Sequence, residues 1–181
     1  MLVIPAFLTG DGFTADLRRF LQECGFRAFP ADVGVNLGPT PGMLQGLDRR
    51  VRDLHRRHGP IALVGISLGG LLARNLAYDQ PDAISHVVTL ASPFRLPTAS
   101  SIEPLVRLFA GHYSPDVDPA RLRTKLPVPA TMIVARDDGV VAPESCFVDE
   151  ADAEVVELDG THLTLPSHPD ALRAIVRRLA G

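Results

Sequence analysis

IALVGISLGGLLARNLAYD, residues 61–79, is the stretch that decides the fold. Ile61 to Ile66 are too uniformly apolar for a strand with one wet face, and LLARNLAYD continues at helical spacing. Between them GISLGG, Gly65 to Gly70, turns strand into helix with a glycine two residues to either side of a serine. A turn that tight excludes side chains at the flanking positions, and it leaves the Ser67 hydroxyl presented above the strand end.

Working outward, short apolar runs alternate with helical segments. The runs are Leu2 to Phe7, Phe26 to Pro30, His86 to Ala91, Thr131 to Ala135 and Glu154 to Leu158. Phe13, Leu17, Phe20 and Leu21 mark one crossover helix; Leu44, Leu47, Val51 and Leu54 mark another, with Arg49, Arg50, Arg52 and Arg56 on its other faces. A closing helix carries Leu172, Ile175, Val176 and Leu179, with Ser167 as its expected N-cap and Pro169 in its first turn. The alternation predicts an α/β fold: a six-stranded, mostly parallel sheet with helices on both faces. Two stretches interrupt it. VGVNLGPTPG, Val33 to Gly42, is a glycine- and proline-rich loop, and Phe94 to Pro129 is a long excursion with an amphipathic segment from Ile102 to Phe109.

Size and charge set outer limits. A chain of 181 residues, 46% hydrophobic and 22% charged, is expected to form one domain, 1–181, and is too apolar to be intrinsically disordered. The net charge of −3 supplies no excess of cations for phosphates, so nucleic acid is not an expected partner. The uncharged stretch Val33 to Leu47 contains four glycines and two prolines and is too short to span a bilayer. No basic segment precedes the apolar opening MLVIPAFLTGDG, so no secretory signal is expected. Cys24 and Cys146 are too few for a disulfide framework, which favours a reducing compartment and a cytoplasmic location.

A serine hydroxyl attacks carbon only when a base removes its proton, so a histidine and a carboxylate are required downstream. His55 and His58, in RDLHRRHG, are expected to face solvent, and their spacing lacks a third ligand for a metal. His86 starts a strand, His112 sits in the excursion and His168 lies in the first turn of the closing helix. His162, in ELDGTHLTLP, follows the last strand at the carboxyl edge of the sheet and is the candidate base. In ARDDGVV, both Asp137 and Asp138 follow the strand Thr131 to Ala135; neighbours point in different directions, so only one can hold the imidazole. Asp138 is the choice, with Asp137 left to pair with Arg136. The oxyanion donors are expected to be the backbone N–H of Leu68, at the positive end of its helix, and one from IPAFLTGDG, with Phe7 first and Leu8 next.

As an ordered set, PAFLTGD, GISLGG, LASPF, DDGVV and GTHL resemble the α/β-hydrolase superfamily, in its group of small lipase- and esterase-like members. The resemblance implies a minimal version of that fold lacking its first two strands, and carboxylic ester hydrolysis through an acyl-enzyme. The same triad also serves thioesterases and acyltransferases, and the same fold serves non-catalytic ligand binders. Pro5-Ala6 stands here where many members have His-Gly. No cofactor or metal is expected. Leu8, Ile66, Leu105 and Phe109 are the candidate substrate contacts, and 94–129 is a candidate lid or cap, or simply a cover for the sheet. Few aromatics and no tryptophan favour short or medium acyl esters over sugars. Oligomeric state has no signature in the sequence.

Overall fold

A computed structural model describes residues 1–94, 101, 103–148 and 153–180, with the backbone alone at 103, 105 and 106. Six strands form one sheet: β1 (Leu2–Ile4), β2 (Phe29–Pro30), β3 (Ile61–Ile66), β4 (Ile84–Leu90), β5 (Ala130–Ala135) and β6 (Glu154–Leu158). Their spatial order is β2-β1-β3-β4-β5-β6 and every pairing is parallel. The chain leaves β1 for one edge and returns to its other side as β3, so the order reverses between β1 and β3. A crevice opens above the strand ends at such a reversal, because the two connections depart to opposite faces.

The helices are α1 (Ala15–Glu23), α2 (Pro41–His58), α3 (Leu68–Asp79), α4 (Glu103–Ala110) and α5 (Pro169–Ala180). Leu47, Val51 and Leu54 of α2 and Leu72 and Leu76 of α3 pack with Leu63 and Val87 on one face of the sheet. Leu17 and Leu21 of α1 and Ala171, Ala174 and Ile175 of α5 pack with Val64, Val88 and Ile133 on the other. Alternate residues of β3 thus serve opposite cores, which is why that strand has no polar side. α3 is buried over most of its surface, from Leu68 to Ala77.

Several boundaries differ from expectation, each for a local reason. β1 stops at Ile4 because Pro5 has no N–H to donate to a ladder. β2 is two residues long, not the five of Phe26 to Pro30, since the Phe26 N–H closes the end of α1 on Leu21 O at 3.0 Å. Pro30 is tolerated because β2 is an edge strand. β4 starts at Ile84 and ends before Ala91, whose φ of 46° turns it out of the sheet. Ser167 is not the cap of α5: its hydroxyl bonds Thr164 O, and the Nδ1 of His168 accepts the Asp170 N–H instead. His168 therefore sits before the helix and not in its first turn.

The excursion after β4 is tied down by α3. Arg74 is fully buried; its Nε donates to Leu122 O at 3.0 Å and its guanidinium lies 4.8 Å from the centre of the Phe94 ring. Tyr78 donates its hydroxyl to Thr124 O at 2.6 Å. Among the described residues no helix is long and apolar enough to cross a membrane.

Candidate active site

Ser67 occupies the junction of β3 and α3 with φ 52° and ψ −121°, a strained conformation for a residue with a side chain. Its N–H donates to Leu90 O at 2.8 Å and its carbonyl accepts from Gly70 at 2.9 Å, so backbone bonds on both sides hold the strain. The three glycines around it are enforced by contact. A Cβ on Gly65 would lie 2.4 Å from Gly69 O, one on Gly69 2.4 Å from Ile4 O, and one on Gly70 2.0 Å from Ser92 Oγ. The helix start is thereby pressed against the end of β1, and Ser67, 4% exposed, sits at the carboxyl end of β3.

Asp138 and His162 come together from loops 24 residues apart. Asp138 Oδ2 lies 2.7 Å from His162 Nδ1, with the two side chains 1% and 7% exposed. The other carboxylate oxygen accepts the N–H groups of Val140 at 2.8 Å and Val141 at 2.9 Å, which fixes the plane of the carboxylate. The two loops are joined beyond the strands, where Arg136 N donates to Leu158 O and Asp137 N to Gly160 O. Asp137 itself is exposed, and Arg136 pairs with Asp159 and Glu157, not with Asp137 as its position suggests. His162 is anchored by Leu165, fully buried three residues on, in the core shared with α1 and α5.

This geometry assigns the ring: Nδ1 is engaged by a buried carboxylate and Nε2 is left for another partner. Among the described residues no hydrogen bond joins that nitrogen to the Ser67 hydroxyl. Such contacts are often long in a site without substrate and tighten in the complex.

Two backbone donors remain unspent at the crevice. Neither the Phe7 N–H nor the Leu68 N–H has an acceptor among the described residues, whereas the Leu8 N–H donates to Asn36 O at 2.7 Å. Leu8 is therefore unavailable as the alternative oxyanion donor. Its side chain is 42% exposed and its φ is 60°.

The candidate substrate contacts separate. The Phe109 ring meets Phe7 edge to face with centroids 5.7 Å apart, and both belong to an apolar cluster with Leu68, Leu71, Phe94 and Met132. Ile66 is 1% exposed and packs into the α1 and α5 core, away from the substrate role expected of it. The side chain of Leu105 lies outside the described residues. His55 is half-buried, against expectation, and His58 stacks on Phe29 with ring centroids 5.3 Å apart. Among the described residues no three His, Cys, Asp or Glu side chains converge to hold a metal. Near the Asp138 loop, burial pushes the Cys146 thiol up to about 12, with the Asp138 charge adding to the effect.

Three side chains that hold the loops after β1 and β2 were not anticipated. Asn36, from the glycine- and proline-rich loop, is fully buried and bonds Pro5 O and the Gly38 N–H. Thr9 bonds Ala6 O. Asp11 accepts the N–H groups of Ala31 and Asp32, both at 2.9 Å. The only signal in the sequence is that these three polar residues are embedded in glycine-rich text, TGDG and NLG.

The family model described as the α/β-hydrolase fold matches residues 43–113. No curated protein sequence matches the chain. Among solved structures, one from a study of two metagenome-derived lipolytic enzymes superposes with a TM-score of 0.71 at 16% identity, covering 99% of this chain and 90% of that one. A lipase-esterase related protein from Clostridium acetobutylicum gives 0.68 at 13% identity, over 99% and 92% of the two chains. A monoacylglycerol lipase from Paleococcus ferrophilus gives 0.68 at 17% identity, over 98% and 92%.

Proposed function

We propose that this chain, which has the α/β-hydrolase fold, is a serine carboxylic ester hydrolase. The observations that carry the reading are the buried 2.7 Å contact between Asp138 and His162, in loops that follow β5 and β6, and a serine held at φ 52° at the carboxyl end of β3. In the proposed cycle Ser67 Oγ attacks the ester carbonyl carbon while His162 Nε2 takes its proton. The resulting oxyanion accepts hydrogen bonds from the Phe7 and Leu68 N–H groups, the latter at the positive end of α3. His162 returns the proton to the departing alcohol and leaves an acyl-enzyme on Ser67. Water then enters, loses a proton to His162 and releases the acid by the same sequence. Asp138 stays ionised throughout and stabilises the imidazolium.

The Phe7, Phe109, Leu68 and Leu71 cluster supports an apolar acyl group of short or medium length, and it supports a capping role for 94–129 over a single domain. Both cysteines are unpaired, which fits a reducing, cytoplasmic setting.

The test is a series of 4-nitrophenyl esters of increasing acyl length, assayed with the parent and with Ser67→Ala. The variant should lose roughly 10⁴- to 10⁶-fold in kcat, the scale on which removing a triad nucleophile acts. A Ser67→Ala enzyme as active as an active parent overturns the mechanism. Matched thioesters of the same acyl group then measure the preference for oxygen over sulfur leaving groups.

A further inference from the structure

We infer that Asn36 and Thr9 are positioning residues for the oxyanion donor at Phe7, and that the loop from Val33 to Thr40, which ends where α2 begins at Pro41, exists to carry Asn36 to that place. The inference rests on the ester hydrolase reading and adds the residues that aim one of its donors.

The peptide group that carries the Phe7 N–H and the two that flank it are each held by a hydrogen bond. The Pro5–Ala6 peptide is held at Pro5 O, which accepts Asn36 Nδ2–H at 2.8 Å. The Ala6–Phe7 peptide is held at Ala6 O by the Thr9 N–H at 3.1 Å and the Thr9 hydroxyl at 2.8 Å. The Phe7–Leu8 peptide is held at Leu8 N–H, which donates to Asn36 O at 2.7 Å. A trans peptide is planar and its carbonyl and N–H point in opposite directions. Pinning Ala6 O therefore fixes the direction of the Phe7 N–H, and pinning both neighbouring planes prevents the turn from rotating about it.

Asn36 can do this because it is itself fully determined. It is 0% exposed; its N–H donates to Thr9 O at 2.8 Å and its Oδ1 accepts the Gly38 N–H at 3.0 Å. Gly38, at φ 103°, meets the Tyr113 ring, and Pro39 O accepts the Ser114 N–H at 2.8 Å, so the loop is braced on the excursion that also brings Phe109 onto Phe7. The cost of Leu8 at φ 60° is consistent with a turn shaped for what its backbone presents.

The experiment measures kcat and KM on 4-nitrophenyl butyrate for the parent, Thr9→Val, Thr9→Ser and Asn36→Asp, with thermal melts of each. Thr9→Val keeps shape and removes only the hydroxyl; Asn36→Asp keeps the acceptor for Gly38 and turns the donor toward Pro5 O into a repelling oxygen. Losing an oxyanion donor outright costs about 10²- to 10³-fold, so mis-aiming one should lower kcat by about 10-fold in Thr9→Val and by ~10- to 100-fold in Asn36→Asp, with KM within about twofold. Thr9→Ser should return kcat to within about twofold of the parent. Because Thr9 is only half-buried, its variants test the inference even if Asn36→Asp does not fold. Unchanged kcat in Thr9→Val, or a loss that Thr9→Ser does not restore, overturns the inference while leaving the hydrolase reading intact. A parent with no turnover dependent on Ser67 overturns both.

Discussion

At the scale of single residues, three glycines in one motif are required by three different neighbours, and only the first lies within the motif. Gly65 clears the path of the turn itself, against the backbone of Gly69 and Gly70, while Gly69 is pressed to backbone oxygens of Ile4 and Pro5 at 2.4 and 2.6 Å from a notional Cβ. Gly70 makes room for Ser92 and Thr89, which arrive from β4 and the residues after it. Backbone atoms cannot swing aside as a flexible side chain can, so Gly69→Ala should destabilise the fold by about 1–3 kcal/mol, the range for forced overpacking. Chemical denaturation of parent and variant measures it, and an unchanged midpoint would show that β1 yields freely. The choice between Asp137 and Asp138 belongs to this scale too. Nothing in the dipeptide distinguishes them; the two backbone N–H groups of Val140 and Val141 that seize Asp138 do.

At the scale of elements, strands were easier to place than to delimit. β6 spans Glu154–Leu158 as expected, whereas β1, β2 and β4 are cut or extended by proline, by a helix-closing bond and by a residue at positive φ. Periodicity records which residues suit a sheet and is blind to where the backbone bonds go. β4 also carries a titratable group into the sheet. His86 is half-buried with Nε2 3.0 Å from Thr131 Oγ1, and burial first, then the nearby Arg178 charge, hold it below its ordinary value of 6.5 while Glu154 opposes them. The unfolded chain protonates this ring near 6.5 and the folded chain resists, so stability present above that pH is lost as the pH falls below it. Thermal melts from pH 7.5 down to 5.5 should show a fall in midpoint that is smaller in His86→Gln; equal slopes would remove His86 from the account.

At the scale of the whole molecule, the residues of the proposed site all follow the carboxyl ends of strands. Phe7 follows β1, Ser67 follows β3, Asp138 follows β5 and His162 follows β6, all at one edge because every strand is parallel. Cys146 sits just beyond the Asp138 loop, 2% exposed with its thiol at about 12, whereas Cys24 is exposed. Iodoacetamide at pH 8 should therefore modify Cys24 rapidly and Cys146 only as fast as that segment opens, since the thiolate is the reactive form. Mass spectrometry after timed alkylation gives both rates, and comparable rates would contradict the burial. The alternation of apolar runs and helical spacing, together with GISLGG, was enough by itself to dictate a parallel α/β sheet with Ser67 at a strained turn, because those features are local and repeat with a period. The partner chosen between two aspartates, the burial of Ile66 in the core, the loss of Leu8 as a donor and the role of Asn36 were decided only by tertiary structure. Each depends on a hydrogen bond or contact with residues distant in the chain, and no local pattern encodes those.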